Sequence, residues 1–128
     1  MIRWLWVWGP AVAQMAAIFI LSSWSDVPDL PGGLSSYTGH MIGYGLLGGL
    51  AARAFARARW AGVTRQACWR ALVLSAAYGV TDEGHQAFVS TRMPSYADWV
   101  ADVAGAAIAV LLVAWMAHAR RRQGGETP

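Results

Sequence analysis

Charge is what this sequence has least of. Asp, Glu, Lys and Arg together make up 13% of its 128 residues, about half the share usual in a soluble domain. A soluble domain this small exposes much of its surface and needs charge to cover it, so the composition argues against one. Hydrophobic residues reach 56%, with 8 Trp, which argues equally against disorder. Lysine is absent, and all 10 basic residues are Arg. They gather at the chain ends and in one central loop, between long apolar stretches. A nucleic acid needs a basic face in polar surroundings, and none is present. The single Cys68 excludes an intramolecular disulfide and any CxxC redox or zinc pair. Beside Trp69, at the start of an apolar run, it reads as a buried, inert thiol. The chain also lacks a phosphate-binding glycine loop and a Ser-x-x-Lys nucleophile pattern.

What remains is apolar sequence of membrane-spanning length. The first run, about residues 4–23, has Gln14 as its only strongly polar member and matches the thickness of a hydrocarbon core. Arg3 before it would suit a signal peptide, but the run is long for one and Ser22-Ser23-Trp24-Ser25-Asp26 is a poor cleavage site. A retained helix is expected, with Trp4, Trp6, Trp8 and Trp24 at its interfaces. Val27 to Gly33 holds two prolines and two glycines and reads as a loop. The second span, about 38–56, is rich in glycine. Gly39/Gly43 and Gly45/Gly49 are small residues four apart, which predicts close helix packing. The third, about 67–89, reaches spanning length only if it includes Asp82 to Gln86. Thr91 to Ser95 breaks the chain before a fourth span at about 98–117, with Trp99 and Trp115 near its ends. Residues 1–120 then form one transmembrane domain and 121–128 a cytoplasmic tail, frayed from Gln123. The fold class is all-α, a bundle of four transmembrane helices.

Arginine placement orients that bundle. With four spans, Arg3, the cluster Arg53, Arg57, Arg59, Arg65 and Arg70, and the triplet Arg120-Arg121-Arg122 fall on one side. The other side has only Arg92. Positive-inside counting puts both termini in the cytoplasm.

Ionisable groups in or beside a span are costly unless paired, and are functional candidates by default. Here they concentrate at the outer ends of the second, third and fourth spans. His40 and Tyr44 share a face, as do Ser75, Tyr78, Asp82, His85 and Gln86, and again Asp98, Asp102 and Gly105. Glu83 sits about 100° from Asp82. One reading is an ion-paired lock, with Arg92 on Asp98 or Asp82 and His40 on Asp102. The other is a site, because carboxylate and imidazole serve acid–base chemistry and divalent-metal binding. Glu83-Gly84-His85 is not a zinc spacing, so a divalent metal is the weaker alternative, and no metal ligand or cofactor is assigned. His118, beside the arginine triplet, reads as an ordinary interfacial histidine.

These residues carry a resemblance. Tyr78-x-x-x-Asp82-Glu83-x-His85-Gln86-x-Phe88-Val89-x-x-Arg92, followed by Ser95-x-x-Asp98-x-x-x-Asp102-x-x-Gly105, resembles the signature of the VanZ-like family. Upstream, Ser22-Ser23 before a proline-containing loop and His40-x-x-x-Tyr44-x-x-Leu47-Gly48 resemble its earlier block. The likeness covers roughly Phe19 to Val113. Tyr37 stands where the family usually has Lys, and Met41 follows the first histidine. The resemblance implies a small multi-pass protein of the bacterial cytoplasmic membrane, in a family whose named member is associated with teicoplanin resistance. It marks His40, Tyr44, Asp82, Glu83, His85, Gln86, Arg92, Asp98 and Asp102.

Chemistry gives these positions their expected roles. In one reading the protein modifies an amphiphile of the outer leaflet, such as a lipid-linked envelope intermediate. Glu83 or Asp82 is then the base, His85 its partner, and Arg92 the receiver of an anionic head group. His40, Tyr44, Gln86, Asp98 and Asp102 complete the substrate cup. In another reading the same cup only holds an envelope lipid or a lipid-bearing antibiotic. A proton-coupled transporter is a third; four spans are few for it, and a homo-oligomer would supply more.

Overall fold

The computed structural model describes residues 2–25, 36–90 and 92–124. The proline- and glycine-containing loop at 27–33, Thr91 and the last four residues of the tail lie outside these. The fold is all-α: α1 (Ile2–Ser22), α2 (Ser36–Phe55), α3 (Arg65–Gln86) and α4 (Tyr96–Gly124), with a 3-10 turn at Trp60–Gly62. No strand occurs among the described residues. Two helices, α1 and α4, are long and apolar enough to cross a membrane. Glycine dilutes the apolar character of α2, and α3 carries polar residues at both ends.

Helix boundaries follow local chemistry. α2 stops in a Schellman-type cap: Ala58 N–H reaches Arg53 O at 2.8 Å and Arg57 N–H reaches Ala54 O at 2.9 Å. Arg57 takes the left-handed conformation at φ 55°, a place glycine usually fills. Thr64 starts α3 by accepting from Ala67 N–H at 3.1 Å. α3 ends at Gln86, short of the expected 89. Phe88 and Val89 instead donate to His85 O and Gln86 O, the tighter pattern of a closing turn. α4 runs past the expected 117, through the arginine triplet to Gly124. Arg is a good helix former and suits the negative end of the helix dipole, so the segment read as tail begins helical, through residue 124.

α2 and α4 lie parallel and form the closest contact. A Cβ at Gly45 would meet Gly105 O at 3.3 Å, and one at Gly48 would meet Ala106 Cα at 2.9 Å. The close approach expected from glycine therefore exists, with Gly45, Gly48 and Gly105 making it. Gly43 faces open space. α3 runs antiparallel in the groove beside them, and its Ala71 packs with Ala51, Ala52 and Val110 in a core of small side chains. Cys68 is half-buried against this core.

α1 is held by apolar packing of Met15 and Ile18 on Tyr44, Leu47 and Tyr78 and by hydrogen bonds to backbone carbonyls. Pro10 lies inside it and has no N–H to give Trp6 O. Arg53 of α2 supplies the missing donor, with Nη1 at 3.0 Å from Trp6 O and 3.2 Å from Val7 O. Gln14 Nε2 donates to Gly43 O at 3.0 Å, and Tyr78 Oη donates to Met15 O at 2.7 Å. At the same end as Arg53, Arg121 donates to Val63 O and Arg120 lies over the Trp60 ring. The bundle thus has an arginine end and a carboxylate end.

Candidate functional site

The carboxylate end is assembled at the start of α2, the end of α3 and the start of α4. Ser95 caps α4, its Oγ accepting from Asp98 N–H at 3.3 Å. In a capping box the third helical residue would return the favour to the cap's own N–H. Here Glu83 of α3 does so instead, Oε2 accepting from Ser95 N–H at 2.7 Å. Asp98 is thereby left to turn towards α2.

His40 receives it there. His40 Nδ1 lies 2.9 Å from Asp102 Oδ1, and Nε2 lies 3.8 Å from Asp98 Oδ2. A carboxylate can only accept, so the proton of the short bond sits on Nδ1. The longer distance is beyond a hydrogen bond. Asp102 is fully buried, whereas the His40 and Asp98 side chains keep 14% and 16% exposure. Asp102 is therefore the back of the site, and His40 with Asp98 is its opening. Gly79 makes room behind, since a Cβ there would meet Asp102 Oδ2 at 3.3 Å and Trp99 Cδ1 at 3.0 Å. One ligand-type atom each from His40, Glu83 and Asp98 falls within a mutual 4.8 Å.

Asp82, Gln86 and Tyr44 form the adjoining buried layer. Gln86 Nε2 donates to Asp82 Oδ2 at 3.4 Å. Several buried oxygens have no hydrogen-bond partner: Tyr44 Oη, Asp82 Oδ1, Glu83 Oε1, Asp98 Oδ1 and Asp102 Oδ2. Glu83, Asp98 and Asp102 thus share one imidazole, with Asp82 held beside Gln86. Among the described residues, no arginine comes within ion-pair reach of any of them.

Two expected members stand apart. His85 does not face Glu83 or Asp82. It stacks on Phe19 of α1, with ring centroids 4.4 Å apart, and its Nε2 is 3.0 Å from Ser23 Oγ. Glu83 and His85 are two residues apart, about 200° around a helix, so α1 claims the face that His85 occupies. Arg92 pairs with neither Asp98 nor Asp82; its Nε donates to Trp24 O at 3.3 Å. Trp99, expected at the interface, turns inward and donates to Ala76 O at 3.0 Å. The imidazole beside the carboxylates is that of His40.

Sequence reasoning passed over three contacts. Ser95 was readable as a cap from Ser-x-x-Asp, but its bond to Glu83 depends on how α3 meets α4. The Pro10–Arg53 complementarity carries no local signal. A groove of about 380 Å³ at the arginine end, bordered by Gly45, Gly49, Arg53, Arg59, Trp60 and Val113, is likewise a product of packing.

Comparison with curated proteins and with solved structures finds no match. The profile of the VanZ/LLP1 family matches residues 38–117, more than half of the chain. The matched segment contains His40, Tyr44, Asp82, Glu83, Asp98 and Asp102, the residues that build the carboxylate end. By that match the chain belongs to the VanZ/LLP1 family.

Proposed function

We propose that the protein crosses the bacterial cytoplasmic membrane four times, with both termini in the cytoplasm. Its carboxylate end then faces the outer leaflet and binds or modifies a cell-envelope lipid or a lipid-bearing glycopeptide antibiotic. Two observations support the four crossings. α2 and α3 expose large apolar side chains outward, among them Ile42 at 63%, Leu46 at 53%, Val80 at 59% and Trp69 at 65%. Water would leave such surface unfavourably hydrated, and lipid would not. The arginines of α2 and α4 also gather at one end of the bundle, as positive-inside orientation requires.

The observation that carries the ligand reading is the unpartnered oxygen of Glu83 beside the half-open His40 and Asp98. Buried carboxylate oxygens without donors are destabilising, and their retention at the mouth of a bundle fits a site better than a brace. Glu83 is the base in this reading and His40, not His85, its imidazole neighbour. Asp102 orients His40, and Tyr44, Asp82 and Gln86 form the wall. Arg92, on the rim, meets the anionic head group. The His40–Asp102 bond joining α2 to α4 favours a second reading, a structural lock.

Glu83→Gln and Asp102→Asn separate the two. Native mass spectrometry of detergent-purified protein should find a retained envelope lipid in the wild type and its loss in Glu83→Gln, with the unfolding temperature of that variant held within a few degrees. Asp102→Asn should lower stability. A wild type that retains no lipid, or a Glu83→Gln that unfolds as readily as Asp102→Asn, contradicts the ligand reading. Turnover of the retained lipid distinguishes modification from binding.

A further inference from the structure

The carboxylate end contains more negative charge than its neighbours can balance. Glu83, Asp98 and Asp102 surround one imidazole, with Asp82 on the adjoining layer; the chain has no lysine, and among the described residues no arginine reaches these carboxylates. Such an excess calls for a bound cation or for protons. The donor geometry suits the cation. Against an ionised Asp102, the short bond puts a His40 proton on Nδ1; in the neutral imidazole Nε2 is then the free nitrogen, and it lies on the Asp98 side. A metal-bound histidine is ordinarily fixed in this way, by a carboxylate behind its other nitrogen. Glu83 is nine-tenths buried and leaves Oε1 without a partner.

We infer that His40 Nε2, Asp98 and Glu83 bind one divalent first-row cation per chain, with Asp102 as the carboxylate that orients the histidine. The distances suit this assignment. Neighbouring ligands at bonds of about 2.0–2.2 Å are separated by roughly 3.0–3.5 Å. His40 Nε2 and Asp98 Oδ2 stand 3.8 Å apart and the trio spans at most 4.8 Å, so side-chain rotation of roughly 1 Å closes the set. One imidazole with two carboxylates selects Mn²⁺ or Zn²⁺ over the all-oxygen preference of Ca²⁺ and Mg²⁺. The half-open mouth leaves room for water or an anionic ligand on the remaining positions. As a ligand Glu83 no longer serves as the free base named above, so this inference stands apart from the lipid reading, and its test reads a different signal.

Full-length protein in detergent, stripped with EDTA, is titrated with Mn²⁺ and followed by electron paramagnetic resonance. One Mn²⁺ per chain is expected, with electron spin-echo modulation from a coordinated imidazole ¹⁴N. Zn²⁺ should displace it. His85→Gln and His118→Gln keep the modulation and His40→Gln removes it. Asp102→Asn weakens binding about 10–100-fold, the usual cost of losing the group behind a ligating histidine. The wild-type nitrogen signal needs no variant, and the His85 and His118 substitutions assign it by elimination if His40→Gln does not fold. Absence of stoichiometric Mn²⁺ and Zn²⁺ binding, or nitrogen modulation that survives in folded His40→Gln, overturns the inference and leaves protons as the balancing charge.

Discussion

Replacing Gly105 by Ala should damage the packing and the polar site together. A Cβ at Gly105 would stand 2.8 Å from Met41 Cα, whereas carbon atoms rest at about 3.5–4.0 Å. The obstruction is backbone, so no side chain can swing aside, and α2 must withdraw from α4 by about 1 Å. His40 is next to Met41 and its partner Asp102 is one helical turn before Gly105. Their 2.9 Å bond would lengthen to about 3.9 Å, outside hydrogen-bond range. Overpacking of this kind costs about 1–3 kcal/mol, and the lost charge-assisted bond about 1.5–3 kcal/mol. The two overlap, so a total near 3 kcal/mol is expected, roughly a 10 °C fall in unfolding temperature for a chain of this size. Gly43→Ala is the control. Its Cβ would meet nothing within 4 Å, and helix propensity alone should make it neutral or stabilising by up to about 1 kcal/mol. Thermal unfolding in one detergent, with circular dichroism and size exclusion, compares the pair. Equal behaviour of Gly105→Ala and Gly43→Ala would refute the proposed α2–α4 contact.

Arg53→Gln should destabilise the wild type by about 1.5–3 kcal/mol, because it strips donors from two carbonyls of α1. In a Pro10→Ala background Trp6 O regains an intrahelical donor, so the Arg53→Gln penalty should shrink by about 1 kcal/mol; a double-mutant cycle without coupling would break the Pro10–Arg53 link. Trp99→Phe should cost about 1 kcal/mol or more through Ala76 O and the space beside Gly79, against no change if the indole faced lipid.

The four helices were legible because apolar length and chain breakers are local properties. The polar cluster was legible by depth: Glu83, Asp98 and His40 all fall within a turn or so of the same helix ends. What could not be read was rotation. A helix apolar on nearly every side has little preference for one face, so nothing local announced that α1 would take His85 while α2 and α4 took Glu83. Arg92 illustrates the same limit, since the charge that ought to have paired with Asp98 reaches the Trp24 carbonyl instead. The helix end of α4 lies beyond the expected span end for a different reason. Membrane thickness sets where a span leaves the hydrocarbon, but helix propensity sets where the helix stops, and Arg120 to Arg122 satisfy the latter.

In the proposed orientation the carboxylate end faces outward and the arginine end inward across four membrane crossings. Single cysteines in a Cys68→Ser background test it directly in intact cells, using a membrane-impermeant maleimide. Phe88, 89% exposed and just past Gln86, marks the carboxylate end, and the exposed Arg59 in the α2–α3 connection marks the other. Phe88→Cys should be labelled before lysis and Arg59→Cys only after it. Labelling of Arg59→Cys in intact cells, with Phe88→Cys protected until lysis, would contradict that orientation.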